Sequence, residues 1–89
     1  MRPPNNAAAP TPEELFARLA PRDRDVVSAL IDFYWLHEKD VAPQIQMSVH
    51  NFRARRQNAY RVLGIDSRPA LIFIYREIAT RAHGGKTPT

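Results

Sequence analysis

Ser48-Val-His-Asn-Phe-Arg-Ala-Arg-Arg-Gln-Asn-Ala-Tyr-Arg-Val-Leu-Gly64 is the stretch around which the chain is organised. At helical period Val49, Phe52, Arg56, Ala59, Tyr60 and Leu63 fall on one side, an apolar stripe interrupted only by Arg56. His50, Asn51, Arg53, Ala54, Gln57, Asn58 and Arg61 fall on the other, which is polar and basic. Ser48 is placed to cap the first turn, its hydroxyl accepting from a backbone N–H with no helical partner. Gly64 is placed to end the helix in the left-handed conformation, with Ile65 returning to the apolar side. The spacing therefore predicts a helix of about four turns, with a core face and a face of Arg, Asn, Gln and His. Those side chains bond base edges and phosphates. Taken alone, such a helix is more often a solvated surface helix, so the order of residues around it decides the reading.

With 89 residues there is room for one small domain, and 44% apolar with 25% charged residues describes an ordinary globular chain. The formal net charge of +4 is unevenly spread. Between Asp40 and Asp66 no acid occurs, yet Arg53, Arg55, Arg56 and Arg61 all lie there. Before Val41 both signs mix, with Glu13, Glu14, Asp23, Asp25, Asp32, Glu38 and Asp40. A positive field confined to one segment points to a polyanionic partner. The absence of cysteine excludes disulfides, thiol catalysis and a cysteine zinc site. His37, His50 and His83 lack metal-ligand spacing, and no glycine-rich phosphate loop is present. Asp23/Asp25 and Glu38/Asp40 read as charges at helix starts. The expectation is a protein without catalytic residues, metal or cofactor. No apolar signal core and no run of membrane-spanning length occurs, so a cytoplasmic protein with no membrane partner is expected.

Residues 1–10, with three prolines and little apolar bulk, read as a disordered arm. Thr11-Pro12-Glu13-Glu14 has the form of a capping box with proline at the first position, opening a short helix that buries Leu15, Phe16 and Leu19 and stops near Ala20. Pro21 opens the next helix, with Val26, Val27, Leu30, Ile31, Phe33 and Tyr34 at core spacing. The run Phe33-Tyr34-Trp35-Leu36 is too apolar to be wholly exposed; most of it should pack inside, leaving Tyr34 or Trp35 for a partner surface. Lys39 to Ile45 predicts a short helix in which Pro43 is tolerated only in the first turn. Residues 65–69 form a connector capping a last helix, Pro69 to Ala82. Its segment Ala70-Leu-Ile-Phe-Ile-Tyr75 has the length of a buried strand, but Arg76-Glu77-Ile78-Ala79 continues a helical pattern. A helix apolar nearly all round in so small a domain needs a second face to cover, and a twin subunit is the simplest. Leu71, Ile74, Tyr75 and Ile78 are the expected dimer interface. Residues 83–89 read as a flexible tail. The fold class is all-α, a bundle of four to five helices over 11–82.

Taken together, Leu19-Ala-Pro-Arg-Asp-Arg-Asp-Val26, Lys39-Asp-Val-Ala42, Ser48-Val-His-Asn-Phe-Arg53 and Tyr60-Arg-Val-Leu-Gly-Ile-Asp-Ser-Arg68 resemble the LuxR/GerE-type helix-turn-helix domain. Its pattern runs L-T-P-R-E-R-E-V, N-K-E-I-A, S-x-x-T-V-K-N-H and Y-x-K-L-G-V-x-x-R. The likeness covers Leu19 to about Ile78, and the segment from Tyr60 to Arg68 is its most specific part. It departs at Ala20, where the family has a capping threonine, and at Gln46, where the turn has glycine. Asn51, Ala54 and Arg55 replace the usual Thr, Asn and His, and the loop at Phe33–His37 is longer and lacks its glycine. The chain is similar to stand-alone members that carry no sensory domain.

The resemblance implies a recognition helix at 48–63 in the major groove of double-stranded DNA. It places base contacts on His50, Asn51, Arg53, Ala54, Gln57 and Asn58, and phosphate contacts on Lys39, Ser48 and Arg61. Arg55 and Arg56 join the phosphate set by charge, though Arg56 on the inward stripe fits a structural ion pair equally well. The implied function is a transcriptional regulator acting as a homodimer on a pseudo-palindromic site. The alternative keeps the fold but binds protein: an anti-activator, or a partner of RNA polymerase or of another regulator, with Tyr34 and Trp35 as its contact surface.

Overall fold

The computed structural model describes residues 9–84, with side chains as far as Ala82. The arm expected at 1–10 and the tail expected at 83–89 fall almost wholly outside the described residues. Among these the chain is all-helical: α1 (Pro12–Ala17), α2 (Pro21–Asp32), α3 (Glu38–Val41), a 3-10 turn (Ala42–Ile45), α4 (Val49–Leu63) and α5 (Arg68–Gly84). The segment 70–75 is helix and not strand.

Local chemistry sets most of the boundaries. Thr11 Oγ1 accepts from the Glu14 N–H at 3.2 Å while Glu14 Oε1 accepts from the Thr11 N–H at 2.9 Å, the reciprocal capping box. Ala20 offers α2 no side-chain cap, and Pro21 removes one of the donors that would need it. Ser48 Oγ accepts from the Asn51 N–H at 3.1 Å, and Ser67 Oγ does the same for Ala70 at 3.2 Å. The predicted helix from Lys39 to Ile45 divides in two because Pro43 has no N–H to donate and its ring obstructs a continuing α-turn.

Two left-handed residues flank the approach to α4 and its end. Gly64, at φ 73°, closes α4 with its N–H directed at the Arg61 and Tyr60 carbonyls, and Ile65 N–H donates to Tyr60 O at 3.0 Å. Gln46 takes φ 55° without the freedom of glycine, and its N–H donates to Pro43 O at 3.0 Å. The left-handed state costs a non-glycine residue about 1–2 kcal/mol, so the turn carries strain that its neighbours must offset. Buried Met47, whose N–H donates to Ala42 O at 3.0 Å, and buried Ala42 are those neighbours.

The core lies where α2 crosses α4 and α5, with α1 closing one end. Val26, Val27, Leu30, Val41, Ala42, Phe52, Ala59 and Leu71 are fully buried, joined by Phe16, Leu19, Leu63, Tyr75 and Ala79. Burial of such side chains is worth roughly 1.5–3 kcal/mol each, which makes this cluster the main source of stability. Tyr75 keeps its hydroxyl satisfied by donating to Leu63 O at 3.2 Å. Arg68 ties the loop after α2. Its guanidinium donates to Leu30 O, Phe33 O and Leu36 O at 2.6–3.1 Å, collecting carbonyls left open at a helix C-terminus.

The expected dimer face needs correction. Leu71 and Tyr75 belong to the chain's own core, because they stand on the same stripe of α5 as Ala79. The outward side of α5 carries Phe73, 89% exposed, and Ile74, 41% exposed, with Ile78 only half-buried against the core. In the α2–α3 loop Phe33 and Leu36 pack inward, whereas Tyr34 and Trp35 remain 67% and 64% exposed.

Candidate functional site

α4 carries the basic segment, and its back is anchored by Phe52, Ala59 and Leu63 in the core, with Val49 and Tyr60 half-buried beside them. On its outward side His50, Asn51, Arg53, Ala54, Gln57, Asn58 and Arg61 are all exposed. Lys39 and Ser48 are exposed as well, on the elements leading into α4. A single rod therefore presents the whole set of expected base-reading positions, and spacing along it is fixed by backbone geometry.

The arginines divide into two kinds. Arg55 Nη1 donates to Asp23 Oδ1 at 3.2 Å, although 32 residues separate the two. Arg56 Nη1 meets both Glu38 oxygens, at 2.5 Å and 2.7 Å, and its guanidinium lies 5.7 Å from the Tyr60 ring centre. Of the two roles open to Arg56, the ion pair is the one it takes. Both side chains were expected at phosphates; both are turned toward carboxylates of α2 and α3, which neutralise much of their field. Arg53 is freer, its Nε 4.0 Å from Glu38 Oε1 and most of its side chain in solvent. Arg61 donates to Asn58 Oδ1 at 3.0 Å and is otherwise exposed.

Asn58 is less free than its exposure implies. Its Nδ2 donates to Asp23 Oδ2 at 2.8 Å, so the amide is occupied at both ends. His50, Asn51, Arg53, Ala54 and Gln57 remain as the open part of this outward side.

Asp23 and Glu38, read in the sequence as helix-start charges, turn out to be the acids that organise this helix. Asp23 is 3% exposed. A signal for it was present: it precedes Val26, Val27 and Leu30 by three, four and seven residues, which puts its carboxylate on the buried stripe of α2. Glu38 bears no such mark, because its partner lies 18 residues away. Beneath the pair, burial first and the Glu38 carboxylate second push the Tyr60 hydroxyl above its ordinary value of 10.0, against the opposing pull of Arg56 and Arg68.

Among the described residues no group of three or more His, Cys, Asp or Glu side chains is placed to hold a metal ion. Nor is any helix among them long and apolar enough to cross a membrane. Comparison with protein-family models, with curated proteins and with solved structures found no match.

Proposed function

We propose that this chain is a small DNA-binding transcriptional regulator built on a helix-turn-helix resembling that of LuxR/GerE domains. In this reading α3 and the 3-10 turn brace α4, and α4 enters the major groove. Arg53 and Asn51 make the principal base contacts, because Arg bonds guanine O6 and N7 together and Asn does the same with adenine N6 and N7. Lys39, Ser48 and Arg61 meet phosphates. Two copies joined along the outward side of α5, through Phe73 and Ile74, would read a pseudo-palindromic site.

One observation carries the reading. His50, Asn51, Arg53, Ala54 and Gln57 stand exposed in a row on a 15-residue helix whose opposite side is locked in the core. The Asp23 and Glu38 pairs narrow the positive field and leave that row uncovered. Titration of duplex DNA over a range of salt tests it. Affinity should fall linearly on logarithmic axes, by roughly 0.9 of a unit per phosphate neutralised. Binding indifferent to salt would contradict the reading.

Tyr34 and Trp35 favour a second reading, in which the same fold binds protein as an anti-activator or as a partner of RNA polymerase or another regulator. Their rings meet edge to face with centres 5.2 Å apart, and Phe33 meets Trp35 at 5.9 Å. Arg68 holds the loop from beneath, so this cluster is presented on a fixed support. Rigid exposed aromatics are the side chains that dominate protein interfaces.

A further inference from the structure

Asp23 stands where the basic helix meets the rest of the molecule, and both of its oxygens are spent on α4. Arg55 Nη1 takes Oδ1 at 3.2 Å, and Asn58 Nδ2 takes Oδ2 at 2.8 Å. An asparagine amide has one donating end and one accepting end. With the donor held by a carboxylate that is 3% exposed, Oδ1 must face the other way. There it accepts from Arg61 Nη1 at 3.0 Å. The three side chains form a relay that runs from the buried seam between α2 and α4 out to the exposed edge of the basic helix. Each bond also polarises the next, since the carboxylate draws on the amide N–H and makes its oxygen a better acceptor.

We propose that this relay presets Arg61 for the phosphate backbone, and that Asn58 is a positioning residue which reads no base; the inference rests on the DNA-binding reading above. Each end of the amide keeps spare bonding capacity, but the bonds to Asp23 and Arg61 fix its orientation, and re-aiming it at an adenine edge would break them. Releasing the donor would leave the buried Asp23 carboxylate with Arg55 as its remaining partner, a cost that base pairing would have to offset. Holding Arg61 in place has the opposite effect. A long flexible side chain that is already ordered loses less freedom when it meets a phosphate. The relay thus strengthens sequence-independent binding without adding a charge.

Asn58 is exposed, so Asn58→Ala can be made without opening the core. Fluorescence anisotropy with a random-sequence duplex should show Asn58→Ala binding about threefold to tenfold more weakly. Its salt slope should stay that of the wild type, because the same phosphates are neutralised. Arg61→Ala should instead flatten the slope by about one unit. Selection from a pool of randomised duplexes should return the same base preferences for wild type and Asn58→Ala. Loss of preference at one position, or an unchanged affinity, would overturn the proposal. A readout in the free protein separates this failure from that of the DNA reading. Nuclear relaxation of the Arg61 Nε–Hε group should show increased motion in Asn58→Ala, and unaltered motion would overturn the relay even if the wild type binds no duplex.

Discussion

Arg55 and Arg56 on one hand, and Arg53 and Arg61 on the other, occupy the same helix within nine residues of sequence, yet they do different physical work. The first two cross to carboxylates on α2 and α3, with Asp23 nearly buried and Glu38 mostly so. Of the second two, Arg53 keeps most of its side chain in water and Arg61 is exposed; among the described residues they are held by a distant carboxylate oxygen and by an amide. A run of arginines is therefore not a measure of basic surface. What counts is which side of the helix each one occupies, and which acids the fold brings to that side.

That contrast can be broken from either side. Removing the acid should have the largest effect: Asp23→Ala strips the partner from Arg55 and Asn58 and should lower unfolding stability by about 2–3 kcal/mol. The loss falls at or below the lower limit of about 3 kcal/mol for a broken buried pair, because the Arg55 side chain is 37% exposed and can recover water. Chemical denaturation would measure it, and a change under 1 kcal/mol, roughly the worth of a surface pair, would place Arg55 with Arg53. On the open side the order of effects reverses. Arg53→Ala should cost about 1–3 kcal/mol of DNA affinity and blur preference at one base position, as measured by duplex selection. Its own stability should move least, by less than about 0.5 kcal/mol in the same denaturation experiment. A large stability loss there would mean that Glu38 at 4.0 Å holds Arg53 as firmly as it holds Arg56.

Features legible in the sequence were those whose cause is local. The capping roles of Thr11, Ser48 and Gly64 depend on residues within four positions, and their geometry follows from residue type. The preference for helix over strand at 70–75 came from periodicity continuing beyond the apolar run. What escaped was non-local. Asp23, Glu38 and Arg68 act on partners between 15 and 38 residues away, and for Arg68 those partners are backbone carbonyls, which leave no trace in side-chain spacing. The interface expected on α5 went astray for a related reason. Leu71, Ile74, Tyr75 and Ile78 follow a helical repeat, but in an almost wholly apolar helix the repeat does not say which stripe faces inward. Ala79, buried one residue past Ile78, shows that the core takes the stripe through Leu71 and Tyr75. Phe73 is left outside, on the opposite side of α5.

The outward row of α4 and the Tyr34–Trp35 cluster are the surfaces on which the two proposed readings rest, and one measurement weighs them together. Amide and side-chain resonances of the labelled protein should be followed as unlabelled duplex DNA is added at low salt. The DNA-binding account predicts shifts concentrated at His50, Asn51, Arg53, Ala54 and Gln57, with Lys39 and Arg61 at the margin and Tyr34 and Trp35 still. Shifts centred on the aromatic cluster, or none at all at the α4 row, would contradict it.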